Sequence, residues 1–174
     1  VVNALSTRME VEVRRNGKIY NQAYEYGKTV TPLEESGNSR KTGSKTTFWP
    51  DPEIFDDIVY DYDTLARRFR EMAFLNKGIK ITLEDQREGK KKKETYHYEG
   101  GIKEFVSYLN QANTSLYPQV IYCEGDANGV HVEVAMQHND SFNDSTYSFV
   151  NNVITPEGGT HLTGYRQALT KTFN

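Results

Sequence analysis

Hydrophobic and polar residues alternate near the start of the chain. Met9, Val11 and Val13 occupy every second position, a pattern that predicts a half-buried β-strand over residues 8–15. Asn16-Gly17 follows, and both residue types tolerate the positive φ angles of a two-residue hairpin turn. The next strand is therefore predicted to return beside the first. The same reasoning predicts strands at residues 18–26, 44–49, 79–83, 95–98, 120–123, 130–136 and 147–150.

Three other segments show the spacing of an amphipathic helix. The predicted helices are residues 62–73, 102–109 and 162–173. Gly78 is expected to close the first of them at its C′ position. The buried stripe of the third is expected to consist of Leu162, Tyr165, Leu169 and Phe173. Hairpins with inserted helices, without a regular βαβ order, indicate the α+β class.

The polar segment 27–41 is predicted to be a loop. Trp49-Pro50-Asp51-Pro52 follows the strand at 44–49, and two prolines so close together stop both strands and helices. This predicts a domain boundary, with one domain at 1–50 and another at 51–174. Val1 to Leu5 resembles the end of a helix too short to form alone, so the chain is expected to be an internal fragment.

Composition limits the class of protein. Hydrophobic residues make up 36% and charged residues 26%, a mixture that can bury a core. No apolar run approaches the roughly 20 residues that span a membrane, so no membrane partner is expected. Cys123 is the only cysteine, which suits the cytoplasm. The net charge of −3 argues against a surface that is basic throughout, although it permits a local phosphate-binding patch.

A self-contained catalytic centre is not visible in the sequence. The histidines are scattered, and none is at metal-ligand spacing from another His or Cys. No glycine-rich phosphate loop and no nucleophile elbow is present. Cys123 lies in a strand pattern and is expected to be a small buried side chain. Residue patterns alone therefore predict an α+β module with no catalytic residue and no metal site.

Several short motifs go further, because their order along the chain is specific. Together they resemble the B subunits of bacterial type II DNA topoisomerases, and the resemblance covers essentially the whole chain. The motifs are Val1-Val2-Asn3-Ala4-Leu5-Ser6, Lys41-Thr42-Gly43 through Phe48, Tyr98-Glu99-Gly100-Gly101-Ile102, Asn139-Asp140, Asn151-Asn152, Glu157-Gly158-Gly159-Thr160-His161 and Gly164-Tyr165-Arg166.

The resemblance implies a fold for each part. Residues 1–50 would be the rear half of an ATP-binding domain of the kind shared by the heat-shock chaperone Hsp90 and histidine kinases. Residues 51–174 would be the first part of a transducer domain with a ribosomal-protein-S5-like fold. The parent protein would then be an ATP-hydrolysing DNA topoisomerase, and this part alone would be inactive.

The resemblance also implies site residues. A glycine-threonine pair lines the adenine end of the family's ATP pocket, and here it is Gly43 and Ser44, with serine in place of the usual threonine. Arg15 matches an arginine that rims this pocket and contacts coumarin-type inhibitors. Arg166 matches an arginine that faces the DNA-holding space. Lys90 to Lys93 form a weaker candidate for phosphate contact.

The cofactors of the parent would be ATP and Mg²⁺, and the resemblance places their main ligands outside this chain. Its partners would be an A-type subunit in an A2B2 heterotetramer, a second B subunit across the ATP gate, and double-stranded DNA. The gyrase type is favoured over topoisomerase IV, but these residues do not separate the two. A non-enzymatic module that shares the fold, and an archaeal or organellar gyrase, remain as alternatives.

Overall fold

The computed structural model describes residues 1–174, which form two structural units, Val1–Tyr60 and Asp61–Asn174. The predicted α+β class is confirmed, because hairpin strands and three α-helices make up the chain. No helix in the structure combines the length and apolarity that crossing a lipid bilayer requires.

The first unit is a five-stranded antiparallel sheet, preceded by a short 3-10 helix at Asn3–Leu5. β1 lies between β2 and β5, and both β3 and β4 pair with β2. The strands are β1 (Ser6–Arg15), β2 (Lys18–Glu25), β3 (Lys28–Thr29), β4 (Glu34–Asn38) and β5 (Gly43–Pro50).

The hairpin between β1 and β2 forms as predicted. Asn16 and Gly17 have φ angles of 54° and 79°, which match a two-residue turn that follows the twist of the strands. Tyr26 and Gly27 repeat this geometry with φ angles of 49° and 80°, and they connect β2 to β3. The second turn was not predicted because tyrosine rarely adopts positive φ.

The predicted loop at 27–41 is wrong in part, since it contains β3 and β4. β4 shows no hydrophobic alternation, and four of its five residues are exposed. It forms by pairing with the edge of β2, where Lys18 Nζ lies 2.6 Å from Glu35 Oε2. β4 is therefore held in place by backbone pairing and surface polar contacts, and not by burial of apolar side chains.

The register of β1 and β5 decides which side chains share a face. Met9 is opposite Phe48, Val11 opposite Thr46, and Val13 opposite Ser44. Since side chains alternate between faces, these six residues lie on one face of the sheet. The sheet therefore presents Ser44 beside the apolar residues of β1.

The second unit contains the three α-helices and three two-stranded sheets. β6 pairs with β7, β8 with β9, and β10 with β11, all antiparallel. A short 3-10 helix at Asn110–Ala112 follows α2. The elements are α1 (Tyr62–Leu75), β6 (Lys80–Asp85), β7 (Lys92–His97), α2 (Ile102–Leu109), β8 (Ile121–Ala127), β9 (Val130–Met136), β10 (Phe149–Val150), β11 (Val153–Ile154) and α3 (Thr160–Phe173).

The core of this unit lies between α1, the β6–β7 hairpin and α2. Ala73 and Phe74 of α1 are 0% and 1% exposed. The Phe74 ring stacks on Tyr98 at a centroid distance of 3.6 Å and on Phe105 of α2 at 5.1 Å. Aromatic rings therefore join the two helices to the end of the hairpin.

α1 begins and ends through side-chain caps. Asp61 Oδ1 accepts a hydrogen bond of 2.7 Å from the backbone N–H of Thr64. At the other end the C-cap is Asn76, so the expectation that Gly78 occupies C′ is wrong by one position. Asn76 Nδ2 donates to the Met72 carbonyl at 2.8 Å, and this polar cap ends the helix before the glycine is reached.

Two side chains expected to be buried are exposed. Cys123 lies in β8, as predicted, but its side chain is exposed, as is that of Val132 on the same face of the β8–β9 ribbon. Phe173, assigned to the buried stripe of α3, is 71% exposed because it occupies the last turn of that helix. Periodicity identified the elements correctly but did not show how far packing extends along each of them.

The predicted strand at 147–150 is shorter than expected. Only Phe149–Val150 forms strand, and it pairs with β11. Asn151 and Asn152 make the turn between them, with φ angles of 49° and 63°. Such a turn suits asparagine, whose short polar side chain tolerates positive φ.

Candidate functional site

The residues that sequence reasoning assigned to a nucleotide pocket meet at one end of the first unit's sheet. Gly43 is opposite Arg14, and Ser44 is opposite Val13. Arg15 comes two residues after Val13 on β1, so its side chain falls on the same face as that of Ser44. The structure therefore brings Arg15, Gly43 and Ser44 together at the turn end of the β1–β5 pair.

The backbone at Gly43 is open. Its φ is +146°, in a region that side chains rarely adopt, and no atom lies within 4 Å of the place where a Cβ would stand. A ligand can thus approach this backbone closely. Ser44 and Arg15 are exposed beside it and offer a hydroxyl and a guanidinium.

These groups can bind a ligand but cannot activate water. A hydroxyl hydrogen-bonds to a heterocyclic base, and a guanidinium pairs with an anion. None of the three residues supplies a carboxylate or an imidazole that could act as a general base or hold Mg²⁺. The site has the chemistry of one wall of a pocket.

Arg166 belongs to the second unit, on α3. Its backbone carbonyl accepts a hydrogen bond of 2.9 Å from Thr170 Oγ1, while its side chain is exposed and takes part in no ion pair. Thr160–Phe173 contains no acidic residue, and Arg166 and Lys171 are its only Lys or Arg residues. The exposed surface of this helix therefore carries positive charge with no neighbouring acid on the same helix to neutralise it.

The lysine run on the β6–β7 hairpin is a weaker candidate. Lys92 Nζ lies 2.9 Å from Glu94 Oε1, and Lys93 Nζ lies 2.8 Å from Glu84 Oε2. These ion pairs neutralise two of the four lysines. The hairpin therefore offers less positive charge to a phosphate than its sequence indicates.

One cluster with metal-ligating residue types was missed from the sequence. Glu124, His131 and Glu133 lie on the β8–β9 ribbon with one ligand atom of each within 4.8 Å of the others. The feature that could have revealed this cluster is the hairpin register, which sets Glu124 opposite Glu133. Both carboxylates are already engaged by the Tyr122 hydroxyl, at 2.5 and 2.6 Å, and Lys77 Nζ lies 3.2 Å from Glu133 Oε1.

The pKa values in this cluster follow from these contacts. Hydrogen bonds to Glu124 and Glu133 raise the pKa of the Tyr122 hydroxyl, so the phenol stays protonated. The hydrogen bond from Tyr122, with further help from Lys77, lowers the pKa of Glu133. The Tyr122 hydroxyl has a single proton, so the two carboxylates share it, and Lys77 adds positive charge beside Glu133.

Comparison with known proteins supports the resemblance noted in the motifs. Residues 101–174 match the model of the DNA gyrase B family. The chain is 53% identical, over all of its length, to the DNA gyrase B protein of Clostridium acetobutylicum, of which it covers 27%. It is 48% identical, again over all of its length, to the B subunit of DNA topoisomerase 4 from Staphylococcus aureus, of which it covers 26%.

A solved structure shares the fold. The 43K ATPase domain of Thermus thermophilus gyrase B, solved in complex with an aminocoumarin, matches with a TM-score of 0.84 and 35% identity, over 95% of this chain and 45% of that one. The chain spans about a quarter of the length of the two curated relatives. The identity is near one half over the whole of this chain, and the fold is shared. This chain therefore belongs to the family of bacterial type II DNA topoisomerase B subunits.

Proposed function

We propose that the chain is part of the ATP-binding and transducer region of a DNA gyrase B protein. In this role it couples ATP binding and hydrolysis to DNA strand passage and negative supercoiling in the cytoplasm. The observation that carries the proposal is the 53% identity to a gyrase B protein over the whole chain. The match to a gyrase B ATPase domain supports it independently.

Each part of the chain has its own task in this proposal. Residues 1–50 form the rear of the ATP-binding domain, and residues 51–174 form the first part of the transducer. The parent would work with an A-type subunit in an A2B2 assembly, with a second B subunit across the ATP gate, and with double-stranded DNA. ATP and Mg²⁺ are its cofactors, and Mg²⁺ is held by residues outside this chain.

Gly43 and Ser44 form the wall at the adenine end of the ATP pocket, and Arg15 lies at its rim. The open space at Gly43 fits this role, because the ligand can approach the backbone there. The Ser44 hydroxyl is free to bond the base directly or through a water molecule. These residues bind and orient the nucleotide, and no proton transfer is assigned to them.

Arg166 faces DNA. Its guanidinium is exposed, free of ion pairs, and carried by a helix that lacks acidic residues. A guanidinium in this state can pair bidentately with a phosphate of the DNA backbone. Such contacts position a duplex without reading its sequence, as strand passage requires.

Nucleotide binding favours the closed state of the ATP gate through contacts made only in that state, and the transducer relays this conformational change toward the DNA.

The test is to combine the parent B subunit with its A subunit and supply relaxed plasmid and linked DNA circles in parallel. ATP-dependent negative supercoiling is expected. Decatenation without supercoiling would instead assign the parent to topoisomerase IV, and ATP-independent binding alone would indicate a non-enzymatic module.

A further inference from the structure

The three residues that follow α1 contact several other elements of the second unit. These residues, Asn76, Lys77 and Gly78, are called the α1 junction. Gly78 donates its backbone N–H to the Tyr98 carbonyl at 3.0 Å, which ties the junction to the end of the β6–β7 hairpin. Lys77 Nζ lies 3.2 Å from Glu133 Oε1, which ties it to β9.

Asn76 connects the junction to a distant part of the chain. Its own backbone N–H and Nδ2 both donate to the Met72 carbonyl, at 3.1 and 2.8 Å, so its side chain is held against the end of α1. Its Oδ1 is then turned outward, where it accepts a hydrogen bond of 2.9 Å from Asn152 Nδ2. The tip of the β10–β11 hairpin is therefore attached to the end of α1.

The same hairpin is attached to α3. Thr155, which follows β11, donates its backbone N–H to the Ser148 carbonyl at 2.8 Å. Thr155 Oγ1 lies 3.1 Å from Nε2 of His161, in the first turn of α3. The hairpin thus contacts the start of the helix that carries Arg166.

We propose that Asn152 is a positioning residue, whose hydrogen bond to Asn76 holds the hairpin, and with it α3 and Arg166, against the end of α1. The inference rests on the proposed contact of Arg166 with DNA. In this proposal, Asn152 itself contacts neither DNA nor nucleotide. Its loss should therefore impair the response to DNA and leave nucleotide handling unchanged.

The turn supplies its own matched control. Asn151 and Asn152 are adjacent, both exposed and both at positive φ, so glycine is compatible with either position. Only Asn152 reaches Asn76. Asn151→Gly and Asn152→Gly therefore remove similar side chains from similar conformations, and differ in the one hydrogen bond.

The experiment uses the full B subunit assembled with its A subunit, and measures ATPase rates with and without plasmid DNA for wild type, both glycine variants and Arg166→Gln. Asn152→Gly should reduce the fold-stimulation by DNA by about threefold to tenfold, the range expected for one lost hydrogen bond. Its basal kcat and its KM for ATP should match those of Asn151→Gly, which should be stimulated like wild type. Introducing Asn152→Gly into an Asn76→Ala background should cause no further loss of stimulation by DNA, because the hydrogen bond between the two residues is already absent.

Several results would overturn the inference. Equal stimulation of the two glycine variants would remove the role of Asn152, and equal loss of basal and stimulated rates would show a general folding defect. Additive losses in the Asn76→Ala background would show that the two asparagines act separately. If wild type and Arg166→Gln are stimulated equally, the proposed DNA contact fails, and the inference that rests on it fails too.

Discussion

The aliphatic stem of Lys77 crosses the backbone of Gly101 so closely that a Cβ on the glycine would lie 2.3 Å from Lys77 Cε and 3.1 Å from its Cγ. Gly101 is buried, is the N-cap of α2, and has φ 61° and ψ −141°. Few residues other than glycine adopt that conformation. The backbone conformation, more than contact with the flexible lysine stem, explains why the second residue of the Gly100-Gly101 pair is glycine.

Gly101→Ala should therefore destabilise the second unit. Backbone strain of this kind costs about 1–3 kcal/mol, and displacement of the Lys77 stem adds to it. Urea unfolding followed by circular dichroism would measure the loss. Gly125→Ala is the matched control, because no atom lies within 4 Å of its Cβ position and its φ is not positive. Equal stability of the two variants would contradict the requirement for glycine at Gly101.

The cap of α1 should make stability depend on pH. Hydrogen bonds from the Thr64 side chain and backbone lower the pKa of Asp61. Because the folded pKa is the lower one, the stabilisation is present above the ordinary carboxyl pKa and is lost as pH falls through the lowered value. Asp61→Asn keeps an oxygen acceptor but does not titrate.

Thermal unfolding of both proteins from about pH 6 down to about pH 2.5, which spans the ordinary carboxyl pKa, tests this expectation. Wild type should lose stability relative to Asp61→Asn as the pH falls. If the difference in thermal stability between the two proteins stays constant over the whole pH range, the pKa of Asp61 does not change on folding.

Ser44→Ala in the full-length protein should remove one hydrogen bond near the adenine, worth about 0.5–1.5 kcal/mol. The KM for ATP should then rise about threefold to tenfold, with little change in kcat. Steady-state ATPase assays measure both constants, and Ser44→Thr, which keeps the hydroxyl, serves as the control. A thousandfold loss of kcat would place Ser44 at the phosphate end of the nucleotide.

Arg166→Gln should leave ATP binding nearly intact and weaken both DNA-stimulated ATPase activity and supercoiling. The lost contact is with phosphate, so the advantage of wild type should shrink as salt rises. Basal and stimulated rates at two salt concentrations test this. Lys171→Gln, on the same helix, is the control for a general loss of positive charge. Equal DNA stimulation of wild type and Arg166→Gln would return Arg166 to the role of a solvated surface residue.

The isolated 174-residue chain should not turn over ATP. Its candidate pocket residues offer one wall without a general base, and a missing base or electrostatic group typically costs factors of about 10² to 10⁴ in rate. We expect nucleotide binding no tighter than about millimolar, by calorimetry. ATP hydrolysis at a rate near that of the parent protein would show that the catalytic groups lie within this chain.

Much of the fold follows from local patterns in the sequence. The alternation of Met9, Val11 and Val13 predicted β1, and Asn16-Gly17 predicted the turn to β2, because both signals act over a few residues. The helical spacing of apolar residues predicted α1, α2 and α3 in the same way. The site residues Gly43, Ser44, Arg15 and Arg166 came from family motifs, since no local pattern separates them from ordinary turn and surface residues.

Tertiary structure decided what depends on distant partners. β4 exists because the edge of β2 accepts it, and Cys123 is exposed although its strand pattern predicted burial. The hydrogen bond between Asn76 and Asn152 joins residues 76 positions apart. Periodicity reports which face of an element is apolar, whereas contacts of this kind depend on how elements pack, which no short window of sequence contains.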